Sequence, residues 1–473
     1  MTDRMGLLDA YFLYAEDDGV NHMHLGALIT MDGEPPAHDD VLALLTGKLV
    51  NIPRYRQVVM GVPLHLGRPV WVDDTTFDIG YHVRRAALPR PGDKQQLRQL
   101  FERVMSQRLD RTRPLWELWL VEGLADGGWA LISKTHHAMV DGVSGTELMG
   151  QLFTTDPDPR QVHAADDAEF VPHTHRPLQL AADAIVDLLA SPTEQWRAVR
   201  TAFTGPRALL DTATAAIGSA SRVARPNAAA SLNGPVGPNR RYAFDYRSLD
   251  DIRTIRQAFG GTINDVVLAA ATNGFRELLL SRGEPVDGRV IRTLIPVATH
   301  ARDAHGTAIG DGHIGNRVSG LFAELPIGIS DPVARLANIT EQLHHLKGSG
   351  HAEAGSVLTL LSEQSPAALF ALGVRANARA RQANINTTIT NVPGPRVPLY
   401  MLGRAVTRIY AYPPPFPVGA RTAIGVYSYG GNVQFGVTGD YSSVPDVDVI
   451  CDGMQDGFTA MLAAANDAAH TGR

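Results

Sequence analysis

Apolar residues along the chain follow two different periods. In "DKQQLRQLFERVMSQRLD", Leu97, Leu100, Phe101, Val104 and Met105 recur at three- and four-residue steps, which predicts an amphipathic helix. "VLALLTGKLV" has the same helical spacing. "HMHLGALITM" and "GWALISKTH" are short apolar runs bounded by Gly or Asp, and they predict strands. Helices and strands interleave, which predicts a mixed α/β domain.

From Thr154 the composition shifts to Asp, Pro, His and Ala, and alanine-rich helical segments follow as far as "ARPNAAASLNGPVGPNRR". These Pro and Gly clusters divide the chain into an N-terminal domain at 1–154, a helical connector at 155–240 and a C-terminal domain at 241–473. Alternation resumes in the last part. "INDVVLAAATNGFRELLLSRG" predicts a helix with a Gly stop, "VIRTLIPVAT" a buried strand, and "AIGVYSYGGNVQFGVTGD" two strands around a Gly-Gly-Asn turn. The two halves are alike in size and class but share no residue-level repeat.

Composition narrows the function classes. A chain of 473 residues that is 44% hydrophobic exceeds the size at which single cores stop growing, so two cores are expected. A net charge of −6, with no long run of Lys or Arg, leaves no electrostatic footprint for nucleic acid. The one cysteine, Cys451, cannot pair within the chain, which points to a reducing, cytoplasmic setting. The start lacks the basic-then-apolar order of a secretory signal. No apolar run approaches the roughly 18 to 20 residues that span a bilayer, so lipid contact is expected to be peripheral at most. The connector segment "PLQLAADAIVDLLA" lacks the Lys/Arg-rich face of an interfacial helix and reads as packed against a domain.

One stretch concentrates chemistry. "KTHHAMVDGVSG" places His136, His137, Asp141 and Gly142 where a predicted strand meets a turn. Ser144 and Glu147 have the spacing of a capping box. Adjacent strand residues point to opposite faces, so one histidine can face a substrate while the other is held by packing. The same geometry disfavours a shared metal, and no further ligand-spaced Cys, Asp or Glu supports one. "GVSGT" is not the G-x-S-x-G elbow of a serine hydrolase. A His–Asp pair without a nucleophile fits general-base work, and a structural turn remains the other reading.

The spacing in "HHAMVDG" resembles the H-H-x-x-x-D-G signature of the CoA-dependent acyltransferase superfamily. "LLDAYFLYAEDDGVNHMHLGALI", "IPRYRQ", "FDIGYHVRRAALPRPG", "RPLWELWLVEGL", "INDVVLAA", "IGNRVSGLFAELP" and "TNVPGP" are similar, in the same order, to the bacterial wax ester synthase/acyl-CoA:diacylglycerol acyltransferase family. The resemblance implies two chloramphenicol-acetyltransferase-like α/β domains in pseudo-two-fold arrangement with a tunnel between them. It implies an O-acyltransferase that moves a fatty acyl group from acyl-CoA to a diacylglycerol or long-chain alcohol, with acyl-CoA as substrate and no cofactor.

Residue by residue, the resemblance makes His137 the general base, His136 its support, and Asp141 and Gly142 the builders of the turn. Pro114, Leu115 and Trp116 match a P-L-W motif and read as core packing. Asn264 and Asp265 match an N-D motif and read as a helix start. Thr390 and Asn391, at the end of "INTTITNVPGP", are the positions where an oxyanion donor is expected. Glu16 matches an acidic position to which the sequence attaches no role. The alternatives are an acyl-binding or lipid-body paralogue without turnover and a condensation-type enzyme that takes its acyl group from a carrier protein. His136 to Asp141 also spells the H-x-x-x-x-D of glycerol-phosphate acyltransferases, but the downstream phosphate motif of that class is missing.

Overall fold

The computed structural model describes residues 3–63, 67–139, 152–158, 230–298, 318–348, 371–372, 374–375, 385–415 and 419–471. Asp141, Gly142, Ser144, Glu147 and most of the connector lie outside the described residues.

The strands run in chain order β1 (Asp3–Arg4), β2 (His24–Met31), β3 (Gln57–Met60), β4 (Val70–Asp73), β5 (Val83–Ala87), β6 (Trp116–Glu122) and β7 (Trp129–His136). The second half adds β8 (Arg240–Ser248), β9 (Ile291–Ala298), β10 (Val318–Leu325), β11 (Thr387–Pro393), β12 (Tyr400–Met401), β13 (Arg404–Tyr412), β14 (Thr422–Tyr429) and β15 (Asn432–Asp440). The helices are α1 (Leu7–Ala15), α2 (His38–Leu49), α3 (Ile79–His82), α4 (Lys94–Ser106), α5 (Leu249–Phe259), α6 (Ile263–Ser281), α7 (Pro332–Gly348) and α8 (Val447–Thr471). No helix among the described residues is long and apolar enough to cross a membrane.

Among the described residues two six-stranded sheets dominate, with orders β12-β13-β2-β7-β6-β5 and β10-β9-β11-β14-β15-β8. Each heads one α/β unit with its own apolar core, so the two-domain α/β reading of the sequence holds. The first sheet is completed from far away in the chain. Strand β13 pairs antiparallel with β2, Ile409 opposite Ile29 and Tyr412 opposite Gly26.

Local sequence explains the elements that place the site. Helix α4 starts on a capping box in which the Asp93 carboxylate accepts from the Gln96 N–H at 2.8 Å and the Gln96 side chain accepts from the Asp93 N–H at 3.1 Å. Its stripe Leu97, Leu100, Phe101, Val104 and Met105 is buried. Strand β7 is buried along its whole length: the apolar Trp129–Ile132 is followed by four buried polar residues, Ser133, Lys134, Thr135 and His136. Strands β14 and β15 turn on Gly430 and Gly431, both with positive φ, and Tyr429 faces Asn432 across that two-residue turn.

The halves meet in an aromatic seam. Phe101 of α4, Tyr242 and Phe244 of β8, and Tyr410 and Tyr412 of β13 share one buried cluster. The Tyr242 hydroxyl donates to the Ala411 carbonyl at 2.9 Å, and the Tyr242 N–H donates to Glu102 of α4 at 2.9 Å. Gly436 of β15 makes the close approach possible, because a Cβ there would collide with the Ala411 carbonyl and the Tyr242 hydroxyl.

Candidate active site

The two histidines of the motif occupy different surroundings. His136 is the last residue of β7 and is fully buried; His137 opens a 3-10 turn over His137–Met139 and is partly exposed. Backbone bonds fix both. The His136 N–H donates to the Leu115 carbonyl at 2.9 Å, and the His137 N–H donates to the Met23 carbonyl at 2.8 Å. Met23 leads into β2, so the motif sits where the ends of three antiparallel neighbours, β2, β7 and β6, come together.

Around His136 lies a buried charged cluster centred on Glu16. His24 of β2 stands directly opposite His136 in the sheet register. The turn after α1 inserts Glu16 between them, with one carboxylate oxygen 3.2 Å from His24 Nε2 and the other 3.3 Å from His136 Nε2. Both contacts are within ion-pair distance but off the line of a well-aligned hydrogen bond. Arg111 donates to the same carboxylate at 3.0 Å, to the Leu13 carbonyl at 2.8 Å and to Asp17 at 2.8 Å. Burial opposes a charge on Glu16, yet its close contacts with the His136 and His24 rings outweigh that and hold the carboxyl well below the usual range. Burial pushes His24 down to about 3 and His22 down to about 4, so both rings are neutral near pH 7.

His137 is set apart from this cluster. Its ring stacks on Phe12 of α1, centroids 3.7 Å apart and planes within 18°. Burial pushes its pKa down to about 4, so the imidazole is a free base at neutral pH.

Lys134 opens the motif stretch and points to the same side of β7 as His136, two residues away. Its fully buried ammonium donates to the carbonyls of Val104, at 2.8 Å, and Gln107, where α4 ends. A cation at the negative end of a helix pins α4 against the strand that carries the motif. Burial lowers its pKa to about 8.

The P-L-W segment is the floor beneath the histidines. The Leu115 carbonyl receives the His136 N–H, Trp116 is buried with its indole N–H donating to the Tyr55 carbonyl at 2.8 Å, and its ring stacks on His82 at 4.6 Å. Pro114 closes a tight turn whose carbonyl accepts from the Trp116 N–H at 2.9 Å.

Asn264, Asp265, Thr390 and Asn391 belong to the second sheet and its helix. Asp265 forms a capping box with Thr262 at the start of α6, accepting from the Thr262 N–H at 2.9 Å. The Asn391 amide donates to the Asn264 side chain at 3.2 Å, which joins the N-D and T-N motifs in one contact. The Thr390 hydroxyl lies 3.5 Å from the Ile424 carbonyl. Both side-chain donors on β11 are thus turned toward neighbours in the second half.

Glu16, His24 and Lys134 were not singled out for any role by sequence reasoning. The available signal was the alternation of His22 and His24 at the mouth of β2, but the register that sets His24 opposite His136 is a long-range property.

Comparison with known proteins decides the family. The wax ester synthase/diacylglycerol acyltransferase catalytic domain matches residues 5–267, and the C-terminal domain of the same family matches residues 314–462. The chain belongs to the wax ester synthase/diacylglycerol acyltransferase family. It is accordingly an acyl-CoA-dependent O-acyltransferase. It is 36% identical to tgs1 of Mycobacterium tuberculosis, a probable diacylglycerol O-acyltransferase, over 96% of this chain and 95% of the relative. In fold, this family member is similar to the wax ester synthase/diacylglycerol acyltransferase of Marinobacter aquaeolei VT8, with a TM-score of 0.66 at 24% identity over 98% of this chain and 100% of the other. It is similar also to the first condensation domain of the calcium-dependent antibiotic synthetase, with a TM-score of 0.61 at 14% identity over 99% and 97%.

Proposed function

We propose that this acyltransferase moves a fatty acyl group from acyl-CoA to the hydroxyl of a diacylglycerol or a long-chain alcohol, with His137 as general base and no acyl-enzyme. The observation that carries the reading is the division between the two histidines. His136 is buried against Glu16, whereas His137 is partly exposed and neutral at pH 7. A neutral imidazole takes the acceptor's O–H proton as the oxygen attacks the thioester carbonyl. The tetrahedral oxyanion collapses, the C–S bond breaks, and the imidazolium proton goes to the departing CoA sulfur. Because the base acts on the acceptor itself, the reaction needs neither a nucleophilic side chain nor a cofactor. Asp141 and Gly142 shape the turn that follows His137 in this scheme.

Support for the substrate class comes from the family and from tgs1, a probable diacylglycerol O-acyltransferase. The acceptors are nearly insoluble in water, so the enzyme works as a cytoplasmic protein at the surface of a membrane or lipid body. CoA release by purified protein from palmitoyl-CoA, with dioleoylglycerol or hexadecanol as acceptor, tests the reading. No release with either acceptor, together with unchanged behaviour of His137→Ala, overturns it.

A further inference from the structure

Glu16 does not touch His137, yet the atoms between them leave little freedom. The Ala138 N–H donates to His136 Nδ1 at 3.0 Å, so that nitrogen must present its lone pair. A neutral imidazole then carries its proton on Nε2, the nitrogen that faces Glu16 at 3.3 Å. The opposite tautomer would set N–H against N–H at Ala138 and a lone pair against a carboxylate oxygen at Glu16. Ala138 is the residue after His137, and the His137 N–H is held by Met23. The backbone on both sides of the proposed base is therefore anchored, on one side through the His136 ring.

From this geometry we infer that Glu16 is a positioning residue: its carboxylate fixes His136 in the Nε2-protonated tautomer and, through the Ala138 N–H, fixes the turn that presents His137. The inference rests on the reading of His137 as base. Three elements converge to hold the carboxylate itself: the end of α1 that carries it, β2 through His24 at 3.2 Å, and the loop after α4 through Arg111 at 3.0 Å. A group held from three sides keeps its place during turnover, as a positioning residue must.

The test uses the full-length protein labelled with 15N at histidine. In the wild type, His136 is expected to give the nitrogen shifts of an imidazole protonated at Nε2 and bare at Nδ1. In Glu16→Gln, kcat is expected to fall roughly 10- to 100-fold while KM for palmitoyl-CoA stays within about twofold, the pattern of lost alignment. Glu16→Asp, which keeps the charge, is expected to retain more turnover than Glu16→Gln, and it carries the kinetic test if the glutamine variant does not fold. A His136 protonated at Nδ1 in the wild type, or Glu16→Gln turnover within about twofold of wild type, overturns the inference. Wild-type turnover in His137→Ala instead overturns the base reading, and the tautomer measurement tells the two failures apart.

Discussion

Among the described residues the two sheets have the same number of strands, but only the first gathers a cluster of buried titratable side chains at one site; the second buries Asp265, Arg335 and the neighbouring Arg240 and Asp440 at separate places. The first buries charge at one end of its central strands: Glu16, His24, Lys134 and His136 are all at most 2% exposed. The second is packed for closeness. Gly274 of α6 lies against Ile450 of α8 so tightly that a Cβ would collide with the Ile450 carbonyl, and Gly453 and Gly457 of α8 face α6 in the same way. Buried ions cost desolvation that only good partners offset, and small residues at a helix crossing maximise dispersion. One half thus gathers titratable side chains at one site, and the other brings two helices close together through glycines.

The sharpest way to break this contrast is at His137. His137→Ala is expected to lower turnover roughly 100- to 10,000-fold, the usual range for a lost general base. Stability should fall by only about 0.5 to 1.5 kcal/mol, the worth of the lost stacking on Phe12. Equal losses of activity and of folded protein would mean that the first half is merely another packed core.

Acid should separate the halves next. His22, His24 and His137 titrate lower in the folded protein, at about 4, 3 and 4, than in an unfolded chain. The unfolded state therefore binds protons first as pH falls. The stability these groups contribute is complete above about pH 6.5 and is lost toward pH 4 as their rings take up protons. Urea unfolding at pH 7.5 and pH 5 should show the decline, and hydrogen exchange should place it first in β2 and β7. By the same shift, the acid limb of kcat/KM should fall well below pH 6.5.

At the seam, Gly436→Ala is expected to cost about 1 to 3 kcal/mol by forcing β15 away from Ala411 and Tyr242. The folded fraction should keep its KM, which denaturation combined with steady-state kinetics would check. The smallest effect is expected at Asn391→Ala. Losing the bond to Asn264 should cost about 1 kcal/mol in stability. A fall in kcat of roughly 100-fold or more would instead make the amide an oxyanion donor that leaves Asn264 in the reacting complex.

Elements set by local periodicity were legible in the sequence. The apolar stripe of α4, the Gly-Gly hairpin of β14 and β15, and a start of α6 near Asn264 and Asp265 each follow from residues a few positions apart. His136 ends β7 and His137 begins the 3-10 turn after it, so the strand alternation expected for the pair does not extend to His137. What was illegible depends on contacts between distant segments. Nothing near Arg404 announces that β13 pairs with β2, and nothing near Glu16 announces His136, 120 positions on by residue number. The burial of Lys134 was illegible because its partners are backbone carbonyls, which leave no mark in a sequence.

Strand β13 has a consequence for how the protein is made. Without it β2 would be an open edge, a row of free N–H and C=O groups inviting pairing with another chain. A ribosome synthesises β2, β6 and β7 early, but the strand that closes their sheet emerges only with residues 404–412. The half that carries the histidines is thus the first to be translated and among the last to be completed. A fragment ending before Arg404 should aggregate, and a nascent chain needs its edge shielded until the second half has followed.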